Sequence, residues 1–496
     1  MILLLLPLAV LAYVGYFYYR VSKYPKGPFP VPFFGNILQI KDPNLMHEEL
    51  ENWRKKYGDI FTFWMFDEPM VALMRYDVIK DALTNHGDAL SDRSGRFPDD
   101  LFQSTPNGGV TFSSGENWRE QRRTAIHILR DFGVGKNVME EKVQEQIERC
   151  IERIQKEADK NNVDFRWPIQ VLVANIINQL LYGFSYPHNS CKRLMNYVER
   201  VTKMLKELLD DSWAIVAMAL PSTKKLPWLG YKVAGRHHDK YADCLTHVKN
   251  DVKDALEYYT KDQEPSCFVQ AYYQKIGTSE YLTLPQLYNV CSDFFFAGME
   301  TTTTTLRWGL LLLTANPDVQ EKIRREVANV VGFERLPTMK DKVNMPYTSA
   351  FVTELQRVSN VFPVNIMRKS NEEITLMGHA FPAGTLFLPQ VYGSLIDDKK
   401  YPDPEVLRPE RFLKTDGSYN ADLASQTLVF GLGKRQCAGE GLARVELFLT
   451  IASFVQKFKF FPSPNAELDL TPVYGTIRFP KEQSLRIEEV DPVAYV

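Results

Sequence analysis

The pattern of hydrophobic and polar positions divides the chain into an uncharged leader, a proline-rich segment and a long body of ordinary mixed composition. Residues 1–19, MILLLLPLAVLAYVGYFYY, carry no charged side chain. As a helix they would reach about 28 Å, the depth of one bilayer core. No basic segment or small-residue cleavage site accompanies them, and positive charges follow at Arg20, Lys23 and Lys26. Residues 1–22 therefore read as an uncleaved signal anchor that leaves the rest of the chain in the cytosol. Pro25, Pro28, Pro30 and Pro32 then exclude helix over a hinge at 23–36, a stiff extended segment holding the following domain, 37–496, at a fixed stance.

In the body, Thr283-Leu-Pro285 predicts a helix start and Asn316-Pro317 its end. About thirty mostly apolar residues lie between them, yet Asp293, Glu300 and Arg307 recur at sevens along one face. That spacing argues for a core helix with a functional side. Within it stands Ala297-Gly-Met-Glu-Thr-Thr-Thr-Thr-Thr305. β-Branched threonines are poor helix formers whose hydroxyls can bond a carbonyl one turn back, and such an override of local propensity marks a site. Ala297 and Gly298 leave a shallow gap, with the acid and alcohol of Glu300-Thr301 one turn on.

A helix begun by Pro346 carries Glu354 and Arg357 at i and i+3, ordinarily a solvated pair contributing about 0.3 to 0.5 kcal/mol. Trp118 and Arg122, at i and i+4, bring two hydrogen-bond donors to one helical face. The apolar runs Trp213–Leu220 and Leu226–Leu229 suit either core packing or a dip into the membrane interface.

Composition removes several function classes. The formal charge of -2, without a long single-sign run, gives no support to nucleic-acid binding. Six scattered cysteines without a C-x-x-C pair, and the absence of an N-x-S/T sequon, fit reduced thiols in a cytosol-facing protein. Gly431-Leu-Gly433 lacks the rest of a dinucleotide fingerprint, and His47-Glu48 lacks the second histidine of a zinc motif. The pair His237-His238 lies in a charged run and reads as a solvated loop. No nicotinamide or flavin site is apparent, so any redox chemistry must draw electrons from a partner.

The chemistry concentrates at Phe430-Gly-Leu-Gly-Lys-Arg-Gln-Cys-Ala-Gly439, just before a helical run from Glu440 to Phe454. A thiolate there gains from the helix dipole, from free N–H groups and from a neighbouring cation, Arg435 or Lys434. The surrounding glycines let backbone approach a large flat object, which suits a haem better than a small zinc site. The string resembles, at every fixed position, the haem signature F-x-x-G-x-R-x-C-x-G of the cytochrome P-450 family. AGMETTTTTLRW and GVTFSSGENW resemble its animal microsomal members, and the hinge reads PKGP where PPGP is common.

The resemblance implies a single large, mainly α domain with small β-sheets behind the anchor, and haem (heme b) held by the thiolate of Cys437. By the same resemblance Phe430, Gly439 and Ala297 contact the haem. Trp118, Arg122, Arg368 and Arg435 serve its propionates, and Glu300 and Thr301 relay protons to bound dioxygen. Glu354, Arg357 and Arg411 form a network that fixes the cysteine loop. It further implies an NADPH-dependent diflavin reductase, with cytochrome b5 as a second candidate partner; Arg119, Arg123, Arg130 and Lys434 are docking candidates by position only and fit a solvated surface equally well. The expected setting is the endoplasmic reticulum membrane, and the expected substrate is lipophilic: a fatty acid, steroid or xenobiotic. Substrate contacts fall to Phe112, Phe294, Ala297, Val364 and Ile477, all equally compatible with core packing. Two activities stay open: a reductase-fed monooxygenase, and a haem-thiolate protein that senses, or rearranges peroxides without external electrons.

Overall fold

The computed structural model describes residues 2–132, 137–189, 191–208, 210–464 and 466–495. The chain is mainly helical. In order the helices are α1 (Ile2–Val21), α2 (Met46–Tyr57), α3 (Tyr76–Asn85), α4 (Gly115–Asp131), α5 (Asn137–Gln155), α6 (Arg166–Tyr182) and α7 (Lys192–Glu207). There follow α8 (Ser212–Ala219), α9 (Pro227–Gly230), α10 (Arg236–Leu256), α11 (Phe268–Lys275) and α12 (Leu284–Ala315). The last are α13 (Pro317–Val330), α14 (Pro346–Ser359), α15 (Tyr392–Leu395), α16 (Ala421–Ser425) and α17 (Glu440–Lys457).

The largest sheet is built from β1 (Ile60–Met65), β2 (Glu68–Leu73) and two strands far along the chain, β3 (Arg368–Lys369) and β6 (Leu386–Pro389). Its order is β1-β2-β6-β3, with β2 and β6 parallel and the other pairs antiparallel. Three two-stranded sheets complete the β structure among the described residues: β4 (Ile374–Leu376) with β5 (His379–Phe381), β7 (Phe458–Pro462) with β10 (Leu485–Glu489), and β8 (Pro472–Tyr474) with β9 (Arg478–Pro480).

The core forms around α12, whose limits are those its sequence signals predict. Thr283 caps its first turn by accepting from Gln286 N–H, and Asn316 ends it before Pro317. Helix α12 packs on α6, α17, α14 and α10. Helix α6 is buried almost all round, as an apolar helix inside a large core must be. Close approach is bought with glycine. A Cβ at Gly309 would stand 2.9 Å from Ile451 and 3.0 Å from Leu355, and one at Gly298 would stand 2.9 Å from Ile177.

Helix α1 occupies the segment expected as an anchor. Its first five side chains, on which an apolar span depends, lie outside the described residues. Among those described no helix is long and apolar enough to cross a membrane. Its C-terminal turns dock on the domain: Phe17 is fully buried edge-on to Trp64, and Arg20 pairs with Asp67 at 2.7 Å. The proline-rich segment is likewise fastened, because the Asn36 amide donates to Pro28 O and accepts from Trp64 N–H. Gly27 lies so close to β1 that a Cβ would collide with Thr62 O.

The expected solvated loop at His237-His238 is instead the start of α10. His237 is buried and bonded to Asp211 at 2.6 Å. The adjoining apolar runs do not form core throughout: Trp228, Leu226 and Leu220 are exposed, while Ala214 and Ala217 are buried.

Candidate active site

A cavity of about 390 Å³ lies between α12 and the cysteine loop. Cys437, Phe430, Gly439, Arg122, Arg368, Arg435, Ala297 and Thr301 all line it, so most residues singled out from sequence meet at one place. Trp118 and Glu300 are absent from that lining, each for its own reason.

The cysteine loop is a tight turn laid on α3. Gly431 and Gly433 adopt positive φ, and a Cβ at Gly433 would stand 2.1 Å from Leu83 O, so only glycine fits. Cys437 N–H closes the turn on Phe430 O at 2.9 Å. The sulfur is open to the cavity and enclosed on its other sides. Burial pushes this thiol above its ordinary value, opposed by hydrogen bonds from Gly439 and Glu440 N–H and by Arg122. The expected neighbouring cation is thus Arg122, whereas Lys434 pairs with Asp88 at 3.3 Å and Arg435 is engaged with carbonyls. The chain supplies the ligand atom and its N–H bonds; the remaining bias towards the anion falls to a metal.

The guanidinium cluster is the most demanding feature of the cavity. Arg435 donates to Ser91 O at 2.8 Å, to Val110 O at 3.2 Å and to Ser113 O, and its guanidinium lies 3.8 Å above the Trp118 ring. Trp118 is therefore a platform under Arg435, and its Nε1–H has no partner among the described residues. Arg122 donates to Gln436 O, next to the cysteine. Nε and Nη1 of Arg368 are buried without partners among the described residues.

A fourth arginine, Arg93, was not apparent from the sequence. Its Nε donates to Thr111 O and its Nη1 to Met367 O, both at 2.9 Å. It stands in Ser91-Asp-Arg-Ser-Gly95, a segment with no periodicity to mark it. Burial lowers the pKa of Arg93 to about 10 against the pull of Asp99, and burial followed by repulsion among the arginines lowers that of Arg435 to about 7 and that of Arg368 well below its ordinary value. Buried cations and orphaned donors at one rim call for a counter-anion with several acceptor oxygens. Two propionates meet that demand, and the flat haem that carries them would set Cys437 at its face. The residues present therefore fit haem. Among the described residues no cluster of His, Cys, Asp and Glu offers an alternative multi-ligand metal site.

On the other wall, Thr301 donates to Ala297 O at 2.6 Å and Thr305 to Thr301 O at 2.8 Å, the back-bonding expected of this threonine run. Glu300 points elsewhere: it is fully buried against α7, accepting from Thr202 at 2.5 Å and from Thr304 at 3.3 Å. Consecutive residues on a helix differ by about 100° in direction, so the acid and its neighbouring alcohol occupy different faces. Burial raises the Glu300 pKa, while Thr202 and Arg307 oppose it.

Asp293, noted in the sequence only for its period, holds the loop over the cavity by accepting from Val110 N–H at 2.7 Å and Thr111 N–H at 3.0 Å. Of the expected substrate contacts, Phe294 and Ala297 line the cavity. Phe112 stacks on Phe102 at 5.2 Å, and Ile477 and Val364 pack into apolar clusters.

The Glu354–Arg357 pair is no surface bridge. Both side chains are buried, joined by bonds of 2.7 and 2.8 Å, with Arg411 Nε at 3.2 Å from the same carboxylate. Arg357 also donates to Leu395 O and Pro404 O, so the network fastens α14 to residues 395–411, and the cysteine loop is held by Arg122 and Arg435.

The arrangement can hold a flat dicarboxylate cofactor, ligate its metal by sulfur and enclose an apolar molecule against α12. Comparison with known proteins agrees. The family model described as Cytochrome P450 matches residues 25–482. The chain is 33% identical over 467 residues to Cytochrome P450 2H2 of Gallus gallus, covering 91% of this chain and 90% of that protein. It is 32% identical to Cytochrome P450 2E1 of Mus musculus, covering 94% of each, and 32% identical to Cytochrome P450 2C44 of Mus musculus, covering 94% and 93%. The chain belongs to the cytochrome P450 family: it is a monooxygenase whose haem iron is bound through a cysteine thiolate.

Proposed function

We propose that this enzyme inserts one oxygen atom into a C–H or C=C bond of a lipophilic substrate, a fatty acid, steroid or xenobiotic, with electrons from NADPH through a diflavin reductase. The observation that carries the reading is the convergence of Cys437, the arginine rim and Thr301 on one mainly apolar cavity. Bound haem supplies the activation of dioxygen, with the thiolate pushing electron density towards iron.

The chain's own residues do the rest. Arg122, Arg368 and Arg435, with Arg93, hold the propionates, and Trp118 supports Arg435 from beneath. Thr301 keeps a hydroxyl proton at the cavity wall. Ile177, Leu180, Leu181 and Leu129 exclude water from it. Glu300 acts as a proton source only after its bond to Thr202 opens and the side chain turns, so α7 gates the relay.

Exposed Arg119, Arg123 and Lys434 support a reductase-docking face with Arg130, and cytochrome b5 would use the same charge. The uncharged leader, with exposed Phe29, Phe33, Trp228 and Leu226, supports a single-pass anchor in the endoplasmic reticulum membrane and a catalytic domain resting against its cytosolic face.

Cys437→Ser should abolish the red-shifted Soret band of the reduced carbon-monoxide complex; an unchanged band would sink the ligand assignment. Thr301→Ala should keep haem but uncouple NADPH use from product, and full coupling would remove Thr301 from the relay. The orientation of Glu300 favours a second reading, rearrangement of peroxides without external electrons. Turnover of a lipophilic peroxide at full rate with NADPH and reductase omitted would support it, and strict dependence on both would reject it.

A further inference from the structure

Helix α17 carries a polar stripe inside an otherwise apolar core. Glu446, Thr450 and Ser453 lie at i, i+4 and i+7, one helical face, and each is only 1% exposed. Each keeps an oxygen with no hydrogen-bond partner among the described residues, as does Thr303 on the neighbouring α12. Glu446 lines the cavity, as does Thr302 on the facing α12. Buried polar atoms left without partners are costly, and a row of them along one seam is the signature of internal water.

No charge compensates this carboxyl. Among the described residues of the helices packed on α17, Arg324 of α13 is spent on Gln320, Val455 O and Phe458 O. Glu354 and Arg357 of α14 neutralise each other, Arg153 of α5 donates to His188 O, and Asp293 and Glu300 of α12 are engaged with other partners. Burial accordingly pushes the Glu446 carboxyl up to about 8, with the nearby Thr302 hydroxyl opposing. Glutamate in mid-helix here is unexplained by packing: it neither caps nor pairs.

We propose that Glu446, with Thr302, Thr450 and Ser453, forms an internal water site that stores a proton beside the haem cavity and delivers it independently of Glu300. The proton leaves the Glu446 carboxyl for a hydrogen-bonded water, which passes one of its own protons into the cavity. A proton from solvent, relayed through water along the Thr450–Ser453 stripe, then returns the carboxylate to the neutral acid. No electrons move, and one proton enters from solvent for each one delivered to the cavity. The proposal rests on the haem-monooxygenase reading for its use, whereas the site itself does not depend on that reading.

The test is infrared difference spectroscopy of the ferric holoenzyme, titrated from neutral to alkaline pH. A carboxylic-acid C=O band that bleaches around pH 8 is expected in the wild type, lost in Glu446→Gln and shifted in frequency in Thr450→Val. Glu446→Gln should also release severalfold more peroxide per NADPH, while the carbon-monoxide Soret band stays in place. Absence of the band in the wild type, or its survival in Glu446→Gln, overturns the proposal. A wild type lacking the Soret band would instead overturn the haem assignment. Should Glu446→Gln fail to fold, the wild-type titration and Thr450→Val decide alone, an unshifted band in Thr450→Val counting against the water site.

Discussion

At the scale of single residues, the site depends on side chains that are uncomfortable without what they serve. Glu300 keeps its place through Thr202, a bond between α12 and α7 in a fully buried setting. Thr202→Val leaves that carboxyl short of a partner and should lower stability by about 1–3 kcal/mol, read from the denaturant midpoint of the holoenzyme. Glu300→Gln should recover most of that loss in the double variant, since the burial cost falls on the charge. Asp293 makes a different prediction. Its carboxyl is pushed up from 3.8 to about 7, chiefly by burial, against the N–H bonds of Thr111 and Val110. The folded chain thus retains a proton that the unfolded chain has already lost between those two values. Stability contributed by this group falls as pH rises through that window and levels off above it. Asp293→Asn should flatten that part of a stability–pH curve; an unchanged slope would show that the group does not titrate there.

At the scale of elements, glycine sets how closely helices approach. Gly298→Ala would bring a methyl to 2.9 Å from Ile177 Cδ1 and should destabilise by about 1–3 kcal/mol. Ile177→Val in the same chain should restore part of the loss, which a purely local helix effect would not allow. Elements with caps and strong period were legible in the sequence: α12 begins at its Thr283 cap and ends before Pro317, and α14 begins at Pro346. The cysteine loop and the Trp118–Arg122 face were legible through their spacing, whereas the Glu354–Arg357 spacing by itself pointed to a solvated pair and only the family resemblance pointed to a network with Arg411. What escaped lacks a local signal. Arg93 sits in an irregular segment and acquires its role only when the loop at 109–113 and the strand start at 366–368 are folded against it. The face that Glu300 turns to α7 depends on a partner nearly a hundred residues away, which no helical period encodes. His237 deceived because its partner, Asp211, lies on the far side of α8 and α9 in sequence and supplies the bond that makes burial tolerable.

At the scale of the whole molecule, long-range connections converge on the cavity. Strand β2, near the N-terminus, pairs with β6 more than three hundred residues later, so the wall carrying Arg368 is fixed only when both ends of the domain have met. Helix α1 joins that sheet through Phe17 on Trp64 and Arg20 on Asp67. Deleting residues 1–12 should therefore leave thermal stability intact and, under the anchor proposed above, release the protein from membranes. Deleting residues 1–22 should also lower it by uncovering Trp64, and equal stability of the two truncations would show that the docking contributes nothing. The arginine rim has a consequence for biogenesis. Its cations repel one another across segments that fold together, while Arg435 and Arg93 are also the pins of the loop between Ser91 and Ser113. Chains made under haem starvation should then keep that loop open and be cut within it by protease, and supply of haem should close it. Cofactor loading would act as the maturation checkpoint at which a newly made chain becomes resistant to degradation.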